Sequence, residues 1–218
     1  MEVPQQAAAG QEDRDYELMK QAVDEAYRAA ARGDGGPFGA VILGDDDAVV
    51  ASCHNLVRKN TDPSAHAEVA AIRQVANSET AEHVCVSDLP PVSSHGCRRL
   101  GRVDLSGCEI YASCEPCPMC FALIRMPKIK KVVYGAKAEA AVAAGYDASI
   151  PDTFVEYYGK SGIEVRQVEG EAAGIAEQVF EKPWETPGEA TRRTRTRGGW
   201  SEKAKGMVKS SRLCCLWN

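Results

Sequence analysis

The chain has 218 residues, of which 44% are apolar and 26% charged, enough to bury the core of one domain and too few for two full catalytic domains. Residues 183–218 hold 8 Lys and Arg against 3 Asp and Glu, a net of +5, so the formal total of −5 leaves −10 on the rest, a poor match for a phosphate backbone. No apolar run approaches the roughly 20 residues of a membrane span, and MEVPQQAAAGQEDRD lacks the basic-then-apolar order of a secretory signal, so nucleic-acid and membrane partners are not expected and the compartment defaults to the cytosol.

Residues 1–12 are polar and without period, which reads as a disordered leader. From Asp13 to Arg32, Leu18, Met19, Ala22, Val23, Ala26, Ala29 and Ala30 recur at helical spacing, with Asp13 or Asp15 as a cap and Gly33 past the end. An amphipathic helix is expected there. Phe38–Leu43 and Ala48–Cys53 are short apolar runs joined by an acidic, Gly-containing turn, as in a hairpin. Asp62-Pro63-Ser64 then signals a helix start ahead of the Ala-rich run Ala65–Ala76, which places His66 and Glu68 in its first turn. Residues 77–104 carry paired prolines and polar clusters and read as a loop, long for a compact domain.

Regular structure resumes with a strand at Glu109–Ala112, a helix at Cys117–Arg125 stopped before Pro127 and a strand at Lys131–Tyr134. A helical segment at Ala138–Ala144, a strand at Ile163–Val168 and a helix at Ala172–Glu181 follow. This alternation predicts an α/β sandwich over residues 13–182. Beyond Lys182 the chain is rich in Pro, Gly and Arg with no apolar period, and residues 183–218 read as a basic, disordered tail.

Nine cysteines without a secretory signal point to thiols or metal ligands rather than a disulfide framework. Pro116-Cys117-Pro118-Met119-Cys120 puts two sulfurs at a helix start, where the amide dipoles favour thiolate. With His66 they make three ligands and leave a tetrahedral zinc ion one open position for water, the arrangement of a catalytic site. Glu68, two residues after the histidine, is placed to take a proton from that water and pass it to a leaving amine. Two alternatives stand beside this reading. Cys117 and Cys120 are also compatible with buried apolar thiols or a redox pair, and Cys114, three residues earlier, with a fourth ligand closing a structural zinc site. His54, His83 and His95 read as surface or loop residues, and Cys214 and Cys215 as incidental thiols.

His-x-Glu with Pro-Cys-x-x-Cys is the signature of zinc deaminases. GGPFGAVI (35–42), His54-Asn55, TDPSAHAEVAAIR (61–73), CEIYASCEPCPMC (108–120), VVYGAKAEAA (132–141) and AEQVFEK (176–182) together resemble the guanine deaminase branch of the cytidine-deaminase-like superfamily, and within it the plant guanosine deaminases. The resemblance implies a three-layer α/β/α sandwich around a mixed five-stranded sheet, a homodimer, and zinc-dependent hydrolysis of a small purine nucleoside, guanosine, to xanthosine and ammonia in purine catabolism. It implies His66, Cys117 and Cys120 as the Zn2+ ligands, Glu68 as proton shuttle, Asn55 on the purine or ribose side of the substrate and Phe38 lining the pocket. Where relatives carry a second acidic residue at the guanine edge this chain has Ala148, which leaves Asp147 or Glu139 to discriminate.

Two further features depart from the resemblance. His66 and Cys117 are 51 positions apart, farther than in the sequences resembled, and the excess is an insertion at about 75–99. From Pro183 an unrelated segment replaces the short aromatic, basic tail that covers the substrate. Alternatives therefore stay open: a guanine base deaminase, a tRNA adenosine deaminase, against which the acidic body argues, or a catalytically impaired isoform acting as a structural or dimerising partner.

Overall fold

The computed structural model describes residues 3–76, 103–182 and 184. His83, His95, Cys214, Cys215, the body of the insertion and, Trp184 aside, the basic tail lie outside the described residues. Strand β1 (Gly39–Leu43) is buried along its whole length, as its unbroken apolar run requires of a strand covered on both faces. It pairs antiparallel with β2 (Val49–His54) on one side and with β3 (Glu109–Cys114) on the other. β3 continues parallel to β4 (Lys131–Ala136), and β4 to β5 (Glu164–Gln167). The order β2-β1-β3-β4-β5 is the expected mixed five-stranded sheet.

Alternate residues of β1 enter two separate cores. Val41 and Leu43 join Met19, Ala22 and Ala26 of α1 (Val3–Arg32), Ala141 of α5 (Ala138–Ala143) and Ala176 and Val179 of α7 (Gly170–Glu181). Ala40 and Ile42 join Ala71 and Ile72 of α3 (Ala67–Ala76), Phe121 and Ile124 of α4 (Pro118–Arg125) and Tyr158 of α6 (Asp152–Gly159). Helices thus cover both faces, giving the three layers.

The structure departs from the sequence reading in three places. Helix α1 begins at Val3 rather than Asp13, through the segment read as a disordered leader. Its Ala and Gln residues are strong helix formers, and extending a helix that tertiary packing has already nucleated costs little. A short helix, α2 (Val57–Asn60), follows β2, and α6 occupies a stretch to which no element was assigned. The Thr, Phe, Val and Tyr residues of α6 are mediocre helix formers, so its packing, not its propensity, decides it. Among the described residues no helix is long and apolar enough to cross a membrane.

Candidate active site

Antiparallel pairing of β1 with both neighbours brings the start of β1, the end of β2 and the end of β3 to one edge of the sheet. Gly39 pairs with His54 and donates its N–H to Ser113 Oγ at 3.0 Å. Asn55 N–H donates to the Phe38 carbonyl at 3.0 Å, and Leu56 N–H to that of Ala65 at 2.9 Å. Phe38 and Asn55 are thereby laid beside the chain that leads into His66. That lead-in is a side-chain turn: Asp62 Oδ1 accepts from the Ser64 N–H at 2.8 Å and from its hydroxyl at 2.6 Å. From the other side, Cys117 caps α4 with extended backbone, Pro118 takes the first helical position and Cys120 falls in the first turn.

His66, Cys117 and Cys120 offer one ligand atom each, all within 4.8 Å of one another. His66 Nδ1 lies 3.8 Å from Cys117 Sγ and 3.5 Å from Cys120 Sγ. Zinc bonds of about 2.3 Å to sulfur and 2.0–2.1 Å to nitrogen, at tetrahedral angles, span nitrogen–sulfur separations of about 3.6 Å. The donor set fits such an ion. Its electrostatics agree. A hydrogen bond from Cys120 and, against burial, one from His66 pull the Cys117 thiol down to about 4. Cys117 then pushes its partner Cys120 up, with burial and the charge of Glu68 adding to it. A second thiolate beside the first calls for a cation between them. Burial opposes a charge on His66, but the hydrogen bond to Cys117 and the charge of Glu68 outweigh it and raise the imidazole.

Glu68 is 8% exposed, and burial followed by the Cys117 charge holds its carboxyl above the usual range. Cys114 is not in the ligand group. Its thiol is kept neutral by burial first and the charge of Glu68 second, and it points at the Lys137 carbonyl, 3.8 Å away. Among the described residues, therefore, no fourth protein ligand joins the group.

Asn55 is buried, and its Oδ1 accepts from Val57 N–H at 3.1 Å, which turns the amide nitrogen the other way. Gly35 lies against it so closely that a Cβ there would meet Oδ1 at 2.0 Å. Phe38 packs edge-on against Tyr146 with ring centroids 5.3 Å apart, and against Phe180 at 5.5 Å. Asp147 and Glu139 are exposed, and the charge of Glu139 reaches Glu115 and Tyr134. Contrary to the surface reading, His54 is 4% exposed. Its Nδ1 lies 2.9 Å from Glu25 Oε2 and its Nε2 2.9 Å from Asp34 Oδ2. No local signal announces that bracket, because its members come from three segments.

The cytidine and deoxycytidylate deaminase zinc-binding region matches residues 12–136. The chain belongs to this deaminase family. The guanine deaminase of Bacillus subtilis (strain 168) is 40% identical over 132 residues, 61% of this chain and 70% of that protein. A tRNA-specific adenosine deaminase of Aquifex aeolicus (strain VF5) is 34% identical over 119 residues, 55% of this chain and 64% of that protein. The solved guanine deaminase from Nitrosomonas europaea shares the fold, with a TM-score of 0.56 at 23% identity over 76% of this chain and 84% of that one. As a member of the deaminase family the chain is a zinc-dependent hydrolytic deaminase, with a histidine and two cysteines positioned for the metal.

Proposed function

We propose that this deaminase acts on purines and that its substrate is guanosine, which it hydrolyses to xanthosine and ammonia. The observation that carries the reaction is the burial of Glu68, with raised proton affinity, beside the His66, Cys117 and Cys120 donors. The likeness to a guanine deaminase supports a guanine-type ring. Zinc, when bound, supplies the Lewis acidity that makes a water nucleophilic near neutral pH. Glu68 takes the proton that water gives up and delivers it to the departing amine. One C–O bond forms, one C–N bond breaks, and no redox partner is needed. Asn55, with its carbonyl oxygen occupied by Val57, turns its amide donor to the purine or ribose, while Phe38 supplies an apolar wall. Asp147 or Glu139 takes the guanine-edge role where Ala148 carries no acid. The working form is a cytosolic homodimer, a state that sedimentation at micromolar concentration checks.

The test is ammonia release from protein of known zinc content, offered guanosine, guanine, 2′-deoxyguanosine, adenosine and cytidine, with Glu68→Ala as control. Turnover of guanosine above the others, lost in the variant, is the expected result. Preference for guanine would transfer the assignment to the free base. No turnover at one zinc per chain would overturn the assignment in favour of a catalytically impaired partner.

A further inference from the structure

The turn that carries both sulfurs is poor in backbone donors, because Pro116 and Pro118 bring no N–H to either side of Cys117. Part of its anchorage comes from a helix that supplies no ligand. Tyr158 of α6 donates its phenol O–H to the Pro116 carbonyl at 3.1 Å in a buried hydrogen bond. The same ring stacks on Phe121, with centroids 3.8 Å apart and planes inclined at 29°. Tyr158 is 8% exposed, so water competes little for either contact. One side chain therefore grips the chain immediately before Cys117 and immediately after Cys120.

We propose that Tyr158 is a positioning residue for the thiolate pair: its hydroxyl and its ring together hold the Pro116–Phe121 turn in the conformation that presents both sulfurs to the metal. The proposal rests on the reading of Cys117 and Cys120 as ligands. Groups that touch metal ligands from behind commonly change metal affinity 10- to 100-fold when removed, because they fix donor orientation before binding. The adjacent Tyr157 supplies an internal control. Its ring meets Phe121 edge-on at 6.2 Å, but its hydroxyl accepts from Arg125 at 3.1 Å rather than reaching the turn.

The experiment follows zinc transfer from the loaded full-length protein to a chromophoric chelator, with a thermal melt for each variant. Tyr158→Phe keeps the ring and removes only the hydroxyl. It is expected to melt near the wild type yet release zinc at least about tenfold faster, whereas Tyr157→Phe releases it at the wild-type rate. Wild-type release from Tyr158→Phe, or equal acceleration in both variants, would overturn the proposal, the latter by showing general loosening of the aromatic cluster. Cys120→Ser separates the two readings. If that variant still held one zinc per chain, the ligand assignment would fail and take the positioning role with it. Loss of zinc from Cys120→Ser with wild-type release from Tyr158→Phe would sink the positioning role alone.

Discussion

Glu68 and His54 are both buried ionisable residues, and their surroundings give them opposite consequences. For Glu68, burial and the neighbouring Cys117 thiolate disfavour the charge and outweigh the opposing charge of His66. Replacing it with Gln removes that cost together with the proton carrier. Glu68→Gln is expected to retain one zinc per chain and an unchanged or slightly higher Tm while turnover falls about 10²- to 10⁴-fold, as read by metal analysis, melting and ammonia release. His54 stands between two carboxylates, Glu25 and Asp34, each 2.9 Å away. Its removal leaves Glu25 with Ser52 and Arg28 and takes a bond from the partly buried Asp34, and His54→Ala is expected to cost about 1–3 kcal/mol in urea unfolding. Lys160→Ala, which breaks only an exposed i,i+4 pair with Glu156, makes a suitable contrast. The His66, Cys117 and Cys120 donor group was readable because its members lie in short motifs at two helix starts. The His54 bracket was not, since its partners lie 29 and 20 positions away.

At the scale of elements, close backbone approach fixes how helices seat on the sheet. A Cβ at Gly135 of β4 would lie 2.3 Å from the Ala176 Cβ on α7 and 2.8 Å from the Met19 sulfur on α1. Gly135→Ala is expected to destabilise by about 1–3 kcal/mol through overpacking, measured by denaturant titration. The junction of α1 with β2 also gives an acid-sensitive tie. Burial pushes the Glu25 carboxyl up, but hydrogen bonds from His54 and Ser52 and the charge of Arg28 outweigh it and hold the group below its ordinary value. A carboxyl depressed in this way contributes stability that is present above its unfolded value of about 4.3 and lost as pH falls through the folded one. Unfolding free energy is therefore expected to decline below about pH 4, and Glu25→Gln to flatten that limb of the titration. The main elements followed from period and turn chemistry, β1 among them through its unbroken apolar run. Helix α6 escaped because Phe154, Tyr157 and Tyr158 form a helical face only once α4 is there to receive it.

Across the whole molecule, zinc would join parts of the chain that are distant in sequence, since His66 and Cys117 lie 51 residues apart. Binding to the folded state alone stabilises by about 2.7 kcal/mol at a hundredfold excess over Kd. For a chain of this size, stripping the metal is expected to lower Tm by about 5–10 °C while far-UV circular dichroism persists. The two cores on opposite faces of the sheet contain neither His66 nor Cys117, and the sheet survives on them. The sequence by itself carried the α/β class, the five strands and the motifs that hold His66, Glu68, Cys117 and Cys120, because each is written in local period, turn residues or short motif spacing. Tertiary structure alone decided that Cys114 turns away toward Lys137, that His54 is buried between two acids and that Tyr158 grips the thiolate turn. Those contacts join residues 20 to 42 positions apart, and only folding brings such pairs within hydrogen-bonding distance.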